Sequence, residues 1–273
     1  MRELARHGVS PLHRGEVWKY LLNVASPDKS DEVTKLKRMQ MSYESFDIPK
    51  LLYASKRPDM IKKQDMSAGL VMTRNKGILL LQRIQAEIRK QFEQHPLISP
   101  EYQHVLLYER RDEFEHVLMA YLHYNNYTYE SGMVNMLAPF VVTLEKEHDM
   151  YFCYQSLMTQ MGICESYNEM HAAQNQQKKH QVNCAVGKLM MLFRCTQPEL
   201  YNYFEEEEVE PNDWAVSWVC YLLSRNLPLC CTLRLWDTYF ASGKFGITID
   251  DDFHTYVCLA VLQTNAETLM EME

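Results

Sequence analysis

The chain is 273 residues long, 47% hydrophobic and 11% aromatic, with only 9 glycines. That composition excludes disordered and fibrous classes and leaves enough apolar surface for a substantial core. A net charge of −8 argues against a nucleic-acid binder, which normally presents a basic surface. The charge is unevenly spread: residues 1–100 hold 18 Lys/Arg against 11 Asp/Glu, a balance of +7, and residues 101–273 hold 10 against 25, a balance of −15. Solvated faces account for such a split, as does a bipolar surface that orients a charged partner.

In chain order, the opening from Arg2 to His13 is polar and charged and carries no signal-peptide pattern. Its abrupt start suggests a piece of a longer protein. Residues 26–77 are the least regular part, where Ser-Pro, Ile-Pro and Arg-Pro breaks separate short charged pieces; helices joined by partly mobile loops are expected there. Leu81, Ile84, Ile88 and Phe92 then draw one apolar stripe at helical spacing, and Pro96 marks where that helix has ended. Phe114, Val117, Leu118, Tyr121 and Leu122 repeat the pattern, with Asp112 as the expected cap and Glu113 and Glu115 placed against the helix dipole. Met133, Met136, Leu137, Phe140, Val141 and Leu144 form a third stripe, and Phe253, Tyr256, Val257, Ala260 and Val261 another. Residues 165–181, rich in Gln and Asn, read as a polar connection, and Glu205 to Glu210 as an acidic, solvated loop ending at Pro211. Strand signals are weak, and no Asn-Gly or Asp-Gly hairpin turn occurs. The fold class that follows is all-α.

The eight cysteines contain no Cys-x-x-Cys pair and mostly sit in apolar stretches, which fits free thiols in a reducing compartment. No apolar run approaches the roughly 20 residues of a membrane span, so direct membrane insertion is not expected and a cytoplasmic location is. The ten histidines are scattered. His116 and His123, seven apart, could share a helix face, but no His-Glu-x-x-His motif aims two ligands at one metal. Neither a Gly-x-Gly-x-x-Gly nor a Gly-Lys-Ser/Thr phosphate loop is present, and there is no Gly-x-Ser-x-Gly elbow. The chain therefore calls for no cofactor and no metal, and offers no self-contained catalytic site. A module that acts on a partner is what these parts can build.

Three separated stretches resemble the TBC domain, the family of GTPase-activating proteins for Rab GTPases. The first is Gly8-Val-Ser-Pro-Leu-His-Arg14-Gly-Glu-Val-Trp18-Lys-Tyr-Leu21, similar to the family's opening helix, with Arg14 and Trp18 on one face. The second is Tyr129-Glu-Ser-Gly132-Met133-Val-Asn-Met-Leu137-Ala-Pro139-Phe140, similar to a Tyr-Cys-Gln-Gly-Met motif followed by a Leu-x-Pro-Phe helix. The third runs from Trp214 through Arg225-Asn-Leu-Pro228 to Leu233-Arg234-Leu-Trp236-Asp237-Thr-Tyr239-Phe240-Ala241. Trp18, Trp214, Trp218 and Trp236 are expected in the core. The resemblance implies a single multi-helix TBC-like domain over 1–273, with two helical subdomains around a GTPase-binding groove. The partner it implies is a Rab-family small GTPase that itself holds the GTP; recruitment to endomembranes would follow that partner.

The resemblance also implies a mechanism. A Rab hydrolyses GTP slowly because charge building on the transferring phosphoryl group is under-stabilised and the attacking water is poorly held. The family inserts two side chains in trans: the arginine of an Ile-x-x-Asp-x-x-Arg motif and the glutamine of Tyr-Cys-Gln-Gly. An arginine supplied this way is worth about 10³–10⁵ in rate. In this sequence Ile84-Gln-Ala-Glu87-Ile-Arg89-Lys90 occupies the first motif, with Glu87 at the acidic position and Lys90 at the arginine. Lysine keeps a charge but not the planar fork of donors. Arg89 is adjacent, but one residue turns it about 100° around a helix. Ser131 stands at the glutamine, too short to replace an amide without a bridging water, and Glu130 before it would repel a phosphate. Lys90, Ser131 and Arg89 are thus the candidate finger positions. Glu87, Glu130, Tyr129, Gly132 and Met133 are the candidate partner contacts, although Gly132 and Met133 also fit plain backbone and core roles. Three readings follow: a GTPase-binding module with weak or no activation, a non-classical activator using Arg89 or Lys90, and a structural interaction domain with no GTPase partner.

Overall fold

The computed structural model describes residues 1–46, 68–93, 95–161, 172–243 and 253–271. Its helices are α1 (Arg2–Ala5), α2 (Pro11–Leu21), α3 (Lys29–Glu44), α4 (Ala68–Phe92), α5 (Pro100–His104), α6 (Arg111–Asn125), α7 (Met133–Thr143) and α8 (Glu147–Met161). They continue as α9 (Ala172–Thr196), α10 (Pro198–Glu206), α11 (Pro211–Cys220), α12 (Leu229–Ser242), α13 (Phe253–Thr264) and α14 (Ala266–Met270), with one π-helical turn at Val105–Glu109. No extended strand occurs among the described residues, as the sequence pattern requires. The chain divides into two compact units, one formed by Ser10–Ser156 and the other by Met1–Val9 with Leu157–Glu273.

The first unit is built around α7, where every residue from Met133 to Val141 is buried. A helix that is apolar on all sides belongs in the middle of a core. Around it pack α2, α4, α6 and the π-helical turn. The α4 stripe behaves as its spacing dictates: Leu81, Ile84, Ile88 and Phe92 are all buried. Trp18 of α2 meets Phe140 edge-on at 5.6 Å, and Gly15 lets the two backbones approach so closely that a Cβ there would lie 2.4 Å from the Thr143 carbonyl oxygen. A C-terminal carbonyl of α7, which has no partner within the helix, and the carbonyls of the two residues after Thr143 are taken by Arg110. Its guanidinium donates to Val141 O at 2.6 Å, Glu145 O at 2.7 Å and Leu144 O. Asn126, left-handed at φ 54, ends α6 as an asparagine is able to.

One expectation changes here, at Asp112, and the helices expected within 26–77 are given their bounds. Asp112 is not the cap of α6: that helix begins at Arg111 directly after the π-helical turn, so Asp112 falls inside its first turn, where its charge still complements the dipole. Within 26–77, residues 29–44 form a regular helix capped by the Asp28 side chain accepting from the Ser30 amide, and α4 starts as early as Ala68. Residues 47–67 lie outside the described residues.

The second unit packs α9 against α11 and α13. Phe193, Phe204, Trp214 and Trp218 form a chain of edge-on ring contacts 5.1–6.1 Å apart. Trp18 and Trp236 are fully buried, each in its own unit, whereas Trp214 and Trp218 are half-buried. Leu222 and Leu223 both adopt left-handed backbone (φ 48 and 61), a conformation that costs about 1–2 kcal/mol per residue. Complete burial of both side chains and a bond from Trp236 Nε1 to Leu222 O (3.3 Å) offset it. The N-terminal residues are tied to α12, with Arg2 donating to Phe240 O at 2.9 Å and the Val9 amide to Asp237 Oδ2 at 2.9 Å. The polar stretch expected as a connection over 165–181 is helical from Ala172 onward: Gln and Lys lose little rotamer freedom in a helix, and the helix packs on α11 and α13. Residues 162–171 lie outside the described residues. The acidic run is solvated as read, with Glu205 to Glu210 exposed at the end of α10 and beyond it.

Candidate functional site

The sequence-predicted residues fall on two elements of the first unit: the last turns of α4 and the turn Tyr129–Gly132 that leads into α7. Burial of Ile84 and Ile88 fixes the roll of α4, leaving Glu87 half-buried at its edge and Arg89 and Lys90 exposed. On the facing turn, the Met133 amide donates to Glu130 O at 3.1 Å and the Met136 amide to Gly132 O at 3.1 Å, which starts the helix. Gly132 has φ −79, so no left-handed requirement explains it. Met133 and Tyr129 are 2% and 8% exposed, with the Met133 carbonyl accepting from Tyr154 Oη at 3.4 Å. Met133 thus serves chiefly as core, holding the turn from beneath.

The two elements meet through side chains. Ser131 Oγ donates to Glu87 Oε1 at 2.7 Å, and Gln91 Nε2 donates to the same oxygen at 2.7 Å. Asn135 Nδ2 reaches Gln91 Oε1 at 3.5 Å, linking the network to the first turn of α7. One turn earlier, the Arg83 guanidinium lies over the Tyr129 ring at 5.1 Å. The α4 helix is also held from its other side, where Glu115, 2% exposed, accepts from Gln85 Nε2 at 2.8 Å and from Arg111 Nε at 2.8 Å.

Ser131 and the acidic position therefore touch, and Lys90 lies one helical turn beyond Glu87. Among the described residues Lys90 has no hydrogen bond or ion pair; Arg89 has one weak bond, Nε to its own helix at Gln85 O, 3.4 Å. Glu130 is half-buried beside Ser131. Arg83, Gln91 and Asn135 were not singled out from sequence. Gln91 and Arg83 stand four residues either side of Glu87, a helical-neighbour signal that could have found them. The pairing of Arg83 with Tyr129 had no such signal.

At this site the side chains present charge and hydrogen-bonding groups, with Arg89 and Lys90 exposed beside the Ser131–Glu87 pair. Among the described residues no group of three or more His, Cys, Asp or Glu side chains could hold a metal, and His116 instead faces Glu147 at 3.2 Å. No described helix is long and apolar enough to cross a membrane.

Two all-helical units, one of them docking the Tyr129–Met133 turn on α4, have the fold of a Rab-GAP domain. The Rab-GTPase-TBC domain family model matches residues 11–270, and the chain belongs to that family. Human TBC1 domain family member 22B is 37% identical over 116 residues, 42% of this chain and 20% of that protein. Human TBC1 domain family member 17 is 23% identical over 96% of this chain and 36% of its own length. The GTPase-activating protein gyp1 of Schizosaccharomyces pombe is 25% identical over the whole chain and 51% of its own length. The chain thus spans between a fifth and about half of these relatives. The crystal structure of the Ypt/Rab-GAP domain of Gyp1p superposes with a TM-score of 0.68 at 20% identity, covering 100% of this chain and 81% of that one. The Chlamydomonas flagellar RabGAP TBC domain gives 0.60 at 19% identity, over 99% and 73%. At these identities the two structures speak for the fold.

Proposed function

We propose that this domain binds a Rab-family small GTPase in its GTP-bound form, through the face carrying Glu87, Lys90 and the Tyr129–Met133 turn, without efficiently stimulating hydrolysis. GTP belongs to the partner, and the domain adds no cofactor of its own. Membership of a family of GTPase regulators supports the partner class. The observation that carries the loss of activation is the pairing of Ser131 with Glu87. The side chain at the water-positioning place is an alcohol whose proton is committed to a carboxylate of its own chain, and the cation one turn on is a lysine. Lysine offers a point charge where a planar fork would neutralise two equatorial oxygens. Neither half of a two-finger mechanism is supplied. The role that remains is that of adaptor or effector in the cytoplasm, brought to endomembranes by the GTPase.

A second reading has one observation in its favour: Arg89 and Lys90 are both exposed and almost without intramolecular bonds, so either could approach a phosphate if the GTPase used its own glutamine. Single-turnover GTP hydrolysis across a panel of Rabs, with pull-downs of the same Rabs in GTP-loaded form, separates the readings. Retention with less than tenfold acceleration supports the binding module. Acceleration of about 10²-fold or more, abolished by Arg89→Ala or Lys90→Ala, establishes the non-classical activator. Retention of no Rab at all favours a structural interaction domain.

A further inference from the structure

Arg83 occupies none of the family's motif positions, yet it faces the same turn as they do. It is exposed, two helical turns before Lys90 on the same side of α4. Among the described residues it makes no hydrogen bond and no ion pair; its contact is the ring of Tyr129, 5.1 Å away. A guanidinium held against an aromatic ring keeps N–H donors available for a partner and loses less freedom on binding than a free arginine does. The neighbouring charge is lopsided. From Leu79 to Lys90 the helix carries Arg83, Arg89 and Lys90 against Glu87 alone, and Glu87 already accepts from Ser131 and Gln91. Exposed Leu79 borders Arg83 one turn towards the N-terminus.

We infer that Arg83, seated on Tyr129, is a partner-recognition residue that takes a carboxylate on the surface of the bound GTPase. The inference rests on the proposed GTPase-binding reading and extends it to a specific contact. Arg83 and Lys90 are seven residues apart, about 10 Å along the helix axis. If Lys90 faces the nucleotide, Arg83 meets protein surface beyond it, so the matching group is an Asp or Glu side chain rather than a phosphate. Tyr129 acquires a role its burial alone does not give: it is the platform that aims the arginine.

The test uses the full chain and the Rab retained in the panel pull-down, loaded with a non-hydrolysable GTP analogue. Binding is measured for the unsubstituted chain and for Arg83→Met, Arg83→Lys and Tyr129→Leu, with thermal unfolding run on each. Arg83 is exposed, so its variants should keep the parent unfolding midpoint. Arg83→Met is expected to raise Kd by about tenfold, as loss of a charge-assisted pair does. Arg83→Lys should restore only part of that, and the salt dependence of Kd should flatten in Arg83→Met. Replacing single acidic residues of the Rab by lysine should identify one whose change restores binding to Arg83→Glu. Parent binding with Arg83→Met within twofold of it overturns the inference and leaves the GTPase-binding reading standing. Failure of the unsubstituted chain to bind any Rab overturns both.

Discussion

Ser131 and Glu87 are joined by a 2.7 Å hydrogen bond, and each departs from the family motif in the direction that makes the bond possible. Glutamate is one methylene longer than the aspartate the motif calls for, and serine is shorter than the glutamine. The longer acid reaches across to the shorter alcohol. Ser131→Gln made alone would place a carboxamide beside a carboxylate that also accepts from Gln91, and Glu87 would hold it. Ser131→Gln with Lys90→Arg should therefore give only a small acceleration of GTP hydrolysis by the bound Rab. Adding Glu87→Asp should raise it further, to about 10²-fold over the unsubstituted domain. Single-turnover assays on the three combinations check this; equal rates for the double and triple variants would show that Glu87 does not restrain the amide.

Gly15 is where α2 and α7 come closest. A methyl group there would sit 2.4 Å from the Thr143 carbonyl oxygen and 3.1 Å from Leu144 Cδ2. Backbone on one side and a buried leucine on the other leave no flexible end to move. Gly15→Ala should destabilise the first unit by about 1–3 kcal/mol despite alanine's better helix propensity. Urea unfolding compares it with Gly77→Ala, which meets nothing within 4 Å and should be neutral or slightly stabilising.

Periodicity was a good guide in the first unit but not in α13, where the stripe Phe253, Tyr256, Val257, Ala260 and Val261 is exposed or half-buried and the buried face is His254, Thr255, Cys258, Leu259 and Leu262. The stripe Leu81, Ile84, Ile88, Phe92 is buried throughout, and because it fixes the roll of α4 it also fixes which side Glu87 and Lys90 occupy. That the Tyr129–Met133 turn faces this helix is seen only in the structure, through the bond from Ser131 to Glu87. Nothing in the spacing of residues 83 and 129 says that a guanidinium will lie on a ring. The α6 start is not legible at Asp112, a good capping residue, because the π-helical turn before it, invisible to a 3.6-residue period, sets the boundary at Arg111. The helix over the Gln- and Asn-rich stretch after residue 171 is not legible from polarity, which does not by itself tell a loop from a helix.

Lys19 is buried in the first unit with Asp149 at 3.1 Å and Glu16 at 2.6 Å. Burial opposes its charge, but the bonds and charges of Glu16 and Asp149 outweigh that and raise its pKa above 10.5. The folded state thus holds the proton more tightly than the unfolded chain. The stability gained is complete at neutral pH and is lost as the pH rises through the raised value. Lys19→Met should cost about 3–5 kcal/mol at pH 7, since it strands the Asp149 carboxylate in the interior. Asp149→Asn should cost less, because Glu16 still neutralises the lysine. Lys19→Met combined with Asp149→Leu should recover most of the loss. Urea midpoints for the three variants check the order, and a double variant no better than Lys19→Met would sink the account.

Glu147, at the start of α8, accepts from Tyr43 Oη at 2.9 Å and faces His116 Nδ1 at 3.2 Å, so one carboxylate ties α3 to α6 and α8. Burial raises its pKa, but the hydrogen bonds of His116 and Tyr43, with the charges of His116 and Arg110, outweigh it and hold the carboxyl below its ordinary 4.5. A depressed folded value means that the unfolded chain binds the proton first. The contribution is therefore present above the ordinary carboxylate range and disappears as the pH falls through the folded value. Glu147→Gln keeps an acceptor for Tyr43 but removes the charge, and should cost about 1 kcal/mol at pH 7. That gap should close as the pH falls through the depressed folded value, below which the parent carboxyl is itself protonated. Urea unfolding of both chains at intervals from pH 7 down through that value reads the convergence directly. A gap that stays constant over the whole range would mean that the charge of Glu147 adds nothing and that its role is purely one of shape.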